Sequence, residues 1–180
     1  VKRSRYARSR LDFFREQLWV RPKAAGGLVR LNPFEPQLRV LAEIERQERE
    51  GLPVRIICLK SRQMGLSTLG QAILFHRIIF GENINALTVA HDATATEYIF
   101  GITKIFYDQL EDWLKPPRKT STKREMILGV EDDRRGKKPR GYRPGSTSAG
   151  SRLSIQTAGH MGSGIGQTVH LFHASELGLW

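Results

Sequence analysis

Residues 54–68 read VRIICLKSRQMGLST. The first six form a short, β-branched apolar run of the kind that makes a buried strand. SRQMG then supplies a turn, and Ser67 to Phe80 is rich in Leu, Ile and Phe, which predicts a helix. A strand–turn–helix unit places backbone N–H groups and the positive end of a helix dipole where phosphate oxygens can bind. The common phosphate-loop pattern, GxxxxGK(S/T), carries its Lys directly after the second Gly. Aligned on Gly65, this chain has Ser67 at the hydroxyl position that meets Mg²⁺, Leu66 where the Lys is expected, and Lys60 on the first Gly position. Lys60 and Arg62 are therefore the cations that the loop offers, with Lys60 entering from its far end. An ordinary strand–turn–helix connection with two exposed cations would read the same way, so the pattern alone does not decide.

The flanking sequence extends the alternation of strands and helices. Residues 4–20 place Tyr6, Leu11, Phe14 and Leu18 at near-helical spacing, predicting a basic amphipathic helix that ends before Pro22 and the glycines beyond it. A second helix is expected from Pro36 to about Glu50, stopped by Gly51. Further on come a strand at Asn85–Ala90, a helix from about Thr94 to Leu114, and strands at Arg152–Thr157 and Thr168–Ala174. Segment 115–150, with its PP, KK and GKKPRGYRPGSTSAG stretches, reads as a mostly irregular, mobile insert around one apolar island at Met126–Val130. Strands alternating with helices indicate an α/β fold with a parallel sheet and right-handed crossovers.

Composition narrows the classes of function. The 180 residues carry 29 Lys+Arg against 18 Asp+Glu, a formal net charge of +11. The excess is segregated: residues 1–30 and residues 115–143 each carry a net charge of +7, and the remainder is acidic. Two basic blocks point to a polyanion, with nucleic acid ahead of an acidic membrane surface. The sequence holds no apolar run long enough to span a membrane. A single cysteine excludes a disulfide framework and predicts a reducing compartment. The chain does not begin with Met, which is expected if its N-terminus was trimmed or if it starts inside a larger protein.

Three segments together carry a family resemblance. KSRQMGLST at 60–68 resembles the deviant phosphate loop of the large terminase subunits of tailed bacteriophages and prophages, where the working Lys often precedes the loop and an Arg-Gln pair precedes the Gly. PFEPQLRVL, upstream, is similar to the family's Q motif, with Gln37 at the adenine-contacting position. SRLSIQTAGHMGSGIGQTVHLFHASELGLW resembles the segment that leads into the family's acidic motif, and Ser175-Glu176 stands where members often have Asp-Glu.

The resemblance implies a three-layer, P-loop NTPase-like core of the ASCE/RecA-like kind, a parallel sheet with flanking helices, incomplete at the C-terminus. Residues 1–30 would be a basic helix or arm, residues 31–180 the first part of the ATPase domain, and the family's nuclease domain would lie outside this chain. ATP and Mg²⁺ are the implied cofactors. The nucleotide would be held by Gln37, Lys60, Ser61, Arg62, Gln63, Met64, Gly65, Leu66, Ser67 and Thr68. The metal or its waters would be held by Ser67 and Ser175. Lys60 and Arg62 would act on the phosphates and Glu176 would polarise the attacking water, as phosphoryl transfer requires. The implied activity is DNA packaging by a homo-oligomeric ring, with duplex DNA, a portal protein and the small terminase subunit as partners. The setting would be the bacterial host cytoplasm, transiently at the procapsid portal, with no membrane involved.

A helicase-like DNA-dependent ATPase, or a nucleic-acid-binding module with a vestigial phosphate loop, are the competing readings; Leu66 and Ser175 favour the last. Duplex binding through phosphates is expected from the insert, with Lys137, Lys138 and Arg140 as its contacts and the N-terminal helix as its rival. Arg143 and Arg152 are the nearest candidates for an arginine finger. His170 and His173 alternate along a strand with no companion ligand cluster, so they are expected to be core or sheet-face residues. Cys58 is expected to be a small buried hydrophobe. His91 and Asp92 point to the C-terminal edge of the sheet, where Asp92 can either cap a helix or reach a ligand.

Overall fold

A computed structural model describes residues 2–22, 26–61, 63–129, 150–159 and 168–179. The centre is a five-stranded mixed sheet. Strands β3 (Asn85–Ala90), β6 (Arg152–Thr157) and β7 (Leu171–Ala174) are mutually parallel, with β3 between the other two. β4 (Arg118–Ser121) and β5 (Glu125–Leu128) continue the sheet beyond β6 as antiparallel strands. The order is β4-β5-β6-β3-β7, so β7 is an edge. The chain leaves β3 for one side and later returns to its other side, which makes β3 a topological switch point. In open α/β sheets, ligands bind beyond the C-terminal ends of the strands at such a point.

Helices α4 (Leu66–Phe80) and α5 (Ala93–Asp108) pack against each other and against β3 and β6. Ala86 and Ala90 of β3 join Leu153 and Ile155 of β6 in the core beneath them. α3 (Glu35–Arg49) matches its expected span, with Gly51 in the left-handed conformation (φ 68°) just past its end.

The N-terminal stretch is two helices, not one. α1 (Lys2–Arg8) and α2 (Arg10–Gln17) break at Ser9, whose hydroxyl accepts from the Asp12 amide and caps α2. Tyr6, Phe13, Phe14 and Leu18 are buried in the same core as α4. Phe13 meets Phe80 edge-on at 5.2 Å, within the range where aromatic pairs add to simple burial. A two-strand ribbon of β1 (Trp19–Val20) and β2 (Val29–Arg30) follows.

Two expectations are corrected. Residues 54–59 are not in the sheet: no strand is assigned there, Ile57 and Leu59 are 96% and 103% exposed, and Cys58 is exposed. The stretch is tied at its start to the end of α3, where the Arg55 amide donates to Gln47 Oε1 at 2.8 Å. Its apolar composition specifies a preference for burial but names no partner, and among the described residues the outer edge of β7 is unpaired. The second correction is in segment 115–150, where residues 118–128 form the β4–β5 hairpin. Met126 and Leu128 point into the core. Residues 130–149 lie outside the described part.

Candidate functional site

The C-terminal ends of β3 and β7 and the start of α4 converge. Ser67, in the first turn of α4, lies with its Oγ 3.1 Å from Ser175 Oγ, directly after β7. Ser175 is buried, and its amide donates to the Val89 carbonyl of β3. The two hydroxyls expected to serve a metal, 108 residues apart in sequence, are thus brought together. Glu176 follows and its Oε2 is 3.0 Å from His91 Nδ1, while His91 Nε2 is 2.8 Å from Asp92 Oδ2. The His91–Glu176 approach is one of distance; its alignment falls short of a hydrogen bond.

Asp92 is the N-cap of α5: its side chain accepts from the Ala95 amide at 2.6 Å. That hydrogen bond, with His91 beside it, holds the carboxyl below the usual carboxylate range. Both α4 and α5 therefore direct their N-termini toward the same edge.

The loop before α4 is shaped by backbone conformation. Gly65 has φ 61°, and a Cβ there would stand 2.7 Å from Gln37 Nε2, so this position requires glycine. The first α4 bond runs from the Leu69 amide to the Gly65 carbonyl. The amides of Leu66, Ser67 and Thr68 have no partner within the helix and can bind an anion. Gln63 and Glu176 also sit in the left-handed region, at φ 68° and 59°. For residues with a side chain that conformation costs about 1–2 kcal/mol each, and such strain clusters at functional sites.

Gln37, 2% exposed, spans the gap between α3 and the loop. Its Nε2 donates to the Gly65 carbonyl at 2.9 Å and its Oε1 accepts from the Phe34 amide. It therefore caps α3 and buttresses the loop at once. Phe34, 48% exposed, stands next to Gly65. Lys60 is half-buried and its ammonium makes no hydrogen bond or ion pair among the described residues. Ser61, Gln63, Met64, Leu66 and Thr68 line the same turn.

Several expected residues lie elsewhere. Arg62, Lys137, Lys138, Arg140 and Arg143 fall outside the described residues. Arg152 opens β6, level with Asn85 at the start of β3, and pairs with Glu125. It therefore stands at the opposite end of the sheet from Ser175 and does not serve this chain's own loop. In the N-terminal block, Arg5 pairs with Glu16 and Asp12, and Arg10 makes a two-pronged contact with Glu48. Part of that positive charge is thus used to hold the fold together. His173 is a sheet-face residue, as expected, half-buried against α4; His170 instead is exposed just before β7, where its Nδ1 accepts from the Asn85 amide.

Sequence reasoning passed over His91 as a partner of Glu176 and Phe34 as a neighbour of the loop. The signal for His91 was its place directly after a central strand. Nothing local marked Phe34.

The donor set suits a hard cation and phosphate. Hydroxyl and carboxylate oxygens are Mg²⁺ ligands, and Mg²⁺ is commonly held by one or two protein oxygens together with substrate phosphates. Among the described residues no group of three or more His, Cys, Asp or Glu could hold a metal by itself. No protein-family model matches the chain, and no curated protein matches it. No helix among the described residues is long and apolar enough to cross a membrane.

Proposed function

We propose that this chain is the ATPase part of a large terminase subunit, with a P-loop NTPase-like core, hydrolysing ATP to move duplex DNA into a procapsid. The observation that carries the reading is the meeting of Ser67 and Ser175 beside Glu176, where a glycine-shaped turn feeds a helix N-terminus at the switch point of a sheet. ATP would lie along residues 60–68, with its phosphates on the free amides of α4 and on Lys60, and with Arg62 adjoining. Bound Mg²⁺ would supply charge neutralisation on the phosphates, and Ser67 and Ser175 would hold it or its waters. Glu176 would orient and deprotonate the attacking water, with His91 close beside it. Gln37 is engaged with the loop and Phe34, so the adenine contact would fall to its remaining acceptor capacity and to the exposed Phe34 ring.

The partners would be duplex DNA, a portal protein and the small terminase subunit, in a ring of like subunits in the bacterial cytoplasm. A nucleic-acid-binding module with a vestigial loop is the second reading, favoured by the exposure of residues 54–59. Equilibrium binding of Mg-ATP, with hydrolysis measured with and without duplex DNA, tests the choice. Micromolar binding and DNA-stimulated turnover, both lost in Lys60→Ala, are expected. Duplex binding without any nucleotide binding would select the second reading.

A further inference from the structure

One turn below the Ser67–Ser175 contact lies a second contact between α4 and β7. A Cβ on Gly70 would stand 2.8, 2.9 and 3.0 Å from Cε1, Nε2 and Nδ1 of His173. Near-equal distances to three ring atoms mean that the imidazole lies face-on across the glycine. The ring is fixed there by Gln71, whose Nε2 donates to His173 Nδ1 at 3.2 Å and to Thr88 Oγ1 at 2.8 Å. The other end of the amide, Oε1, accepts from Thr103 Oγ1 at 2.9 Å. Gln71, Thr88 and Thr103 are fully buried. One amide therefore joins α4, β3, α5 and β7, with both of its ends used. Because Gln71 presents its amide N–H there, Nδ1 is the acceptor and the ring proton sits on Nε2.

We propose that His173 is a positioning residue: seated on Gly70 and held by Gln71, its ring sets the spacing between the start of α4 and the Ser175–Glu176 end of β7. Gly70 lies three residues after Ser67 on the same helix, and His173 lies on β7 two residues before Ser175, which directly follows that strand. Any displacement at the lower contact is therefore transmitted by rigid elements to the upper one. Ordinary van der Waals separation begins near 3.5 Å, so a methyl at Gly70 must push α4 and β7 apart by at least about half an ångström. The consequence for turnover rests on the ATPase reading; the spacing itself does not.

Two measurements separate these. In a Cys58→Ser background, the Ser67→Cys/Ser175→Cys pair replaces oxygens that are 3.1 Å apart, compatible with a disulfide, and should close readily under oxidised glutathione. Adding Gly70→Ala should slow closure about tenfold, and adding His173→Ala as well should restore it. In the native background, Gly70→Ala should lower kcat about tenfold or more with KM nearly unchanged, and Gly70→Ala/His173→Ala should recover to within about threefold. His173→Asn, which keeps an acceptor at the Nδ1 position, should turn over faster than His173→Leu, which does not. Circular dichroism of each variant confirms that it folds. Closure and turnover unaffected by Gly70→Ala, or a double variant no better than the single, would overturn the proposal. Normal disulfide behaviour in a protein without ATPase activity would leave the spacer role standing and remove the ATPase reading.

Discussion

Gly65→Ala perturbs the turn at its tightest point, and the structure gives the size of the effect. At φ 61° a residue with a Cβ costs about 1–2 kcal/mol relative to glycine. The new Cβ, 2.7 Å from Gln37 Nε2, also displaces a buried amide. The hydrogen bond from Gln37 to the Gly65 carbonyl is then lost, a net contribution of about 0.5–1.5 kcal/mol. Reduced freedom of the unfolded chain returns about 0.5 kcal/mol, so the variant should be destabilised by roughly 2 kcal/mol. Urea unfolding of Gly65→Ala, Gln37→Ala and the double variant measures this. Because Gly65→Ala already breaks the Gln37 contact, the double variant should cost about 1 kcal/mol less than the two singles combined. A Gly65→Ala cost below about 0.5 kcal/mol, or strict additivity, would refute the reasoning.

Other expectations follow from the same geometry. Burial holds the His76 imidazole down to about 4 while its Nε2 donates to the Tyr6 carbonyl. The unfolded chain thus binds more protons between pH 6.5 and 4, and stability, complete above pH 6.5, should fall across that window. The slope should be up to about 1.4 kcal/mol per pH unit from this group, and His76→Phe should flatten it; an unchanged slope would contradict the burial argument. Because residues 54–59 lie off the sheet with Cys58 exposed, their amides should exchange at nearly unfolded-chain rates and Cys58 should react rapidly with a thiol reagent. Strong protection of these amides together with slow thiol reaction would contradict that placement. Neutralising Lys137, Lys138 and Arg140 together should weaken duplex binding and reduce its log–log salt slope by up to about 2.7, and an unchanged slope would move DNA binding to residues 1–30.

The strands β3 and β6 were legible to the residue, because each carries core-directed apolar residues and begins within four residues of a glycine, Gly81 or Gly150. The same kind of signal at 54–59 failed, since composition records a preference for burial but not the edge that would satisfy it. β4 and β5 were hidden by their charges: Arg118, Lys119 and Glu125 face outward on short strands, and only Met126 and Leu128 betray an inward face. The break at Ser9 was written locally, as a Ser three residues before Asp12, but a near-helical apolar spacing ran across it and masked it. At the candidate site, Lys60, Gly65, Ser67, Ser175 and Glu176 are singled out by motif order. The Ser67–Ser175 contact bears on their juxtaposition, which spacing alone does not give. The Gly70–His173 seat was illegible because neither residue belongs to a motif and 102 residues separate Gln71 from His173.

The central claim is that Glu176 works on water beside a nucleotide held by the Ser67 turn. Its most direct test is Glu176→Gln, which keeps the size and hydrogen bonding of the side chain and removes the base. Single-turnover hydrolysis should fall on the order of 10²-fold or more while the Kd for Mg-ATP stays within about threefold of the parent protein. Undiminished hydrolysis by Glu176→Gln would contradict the account.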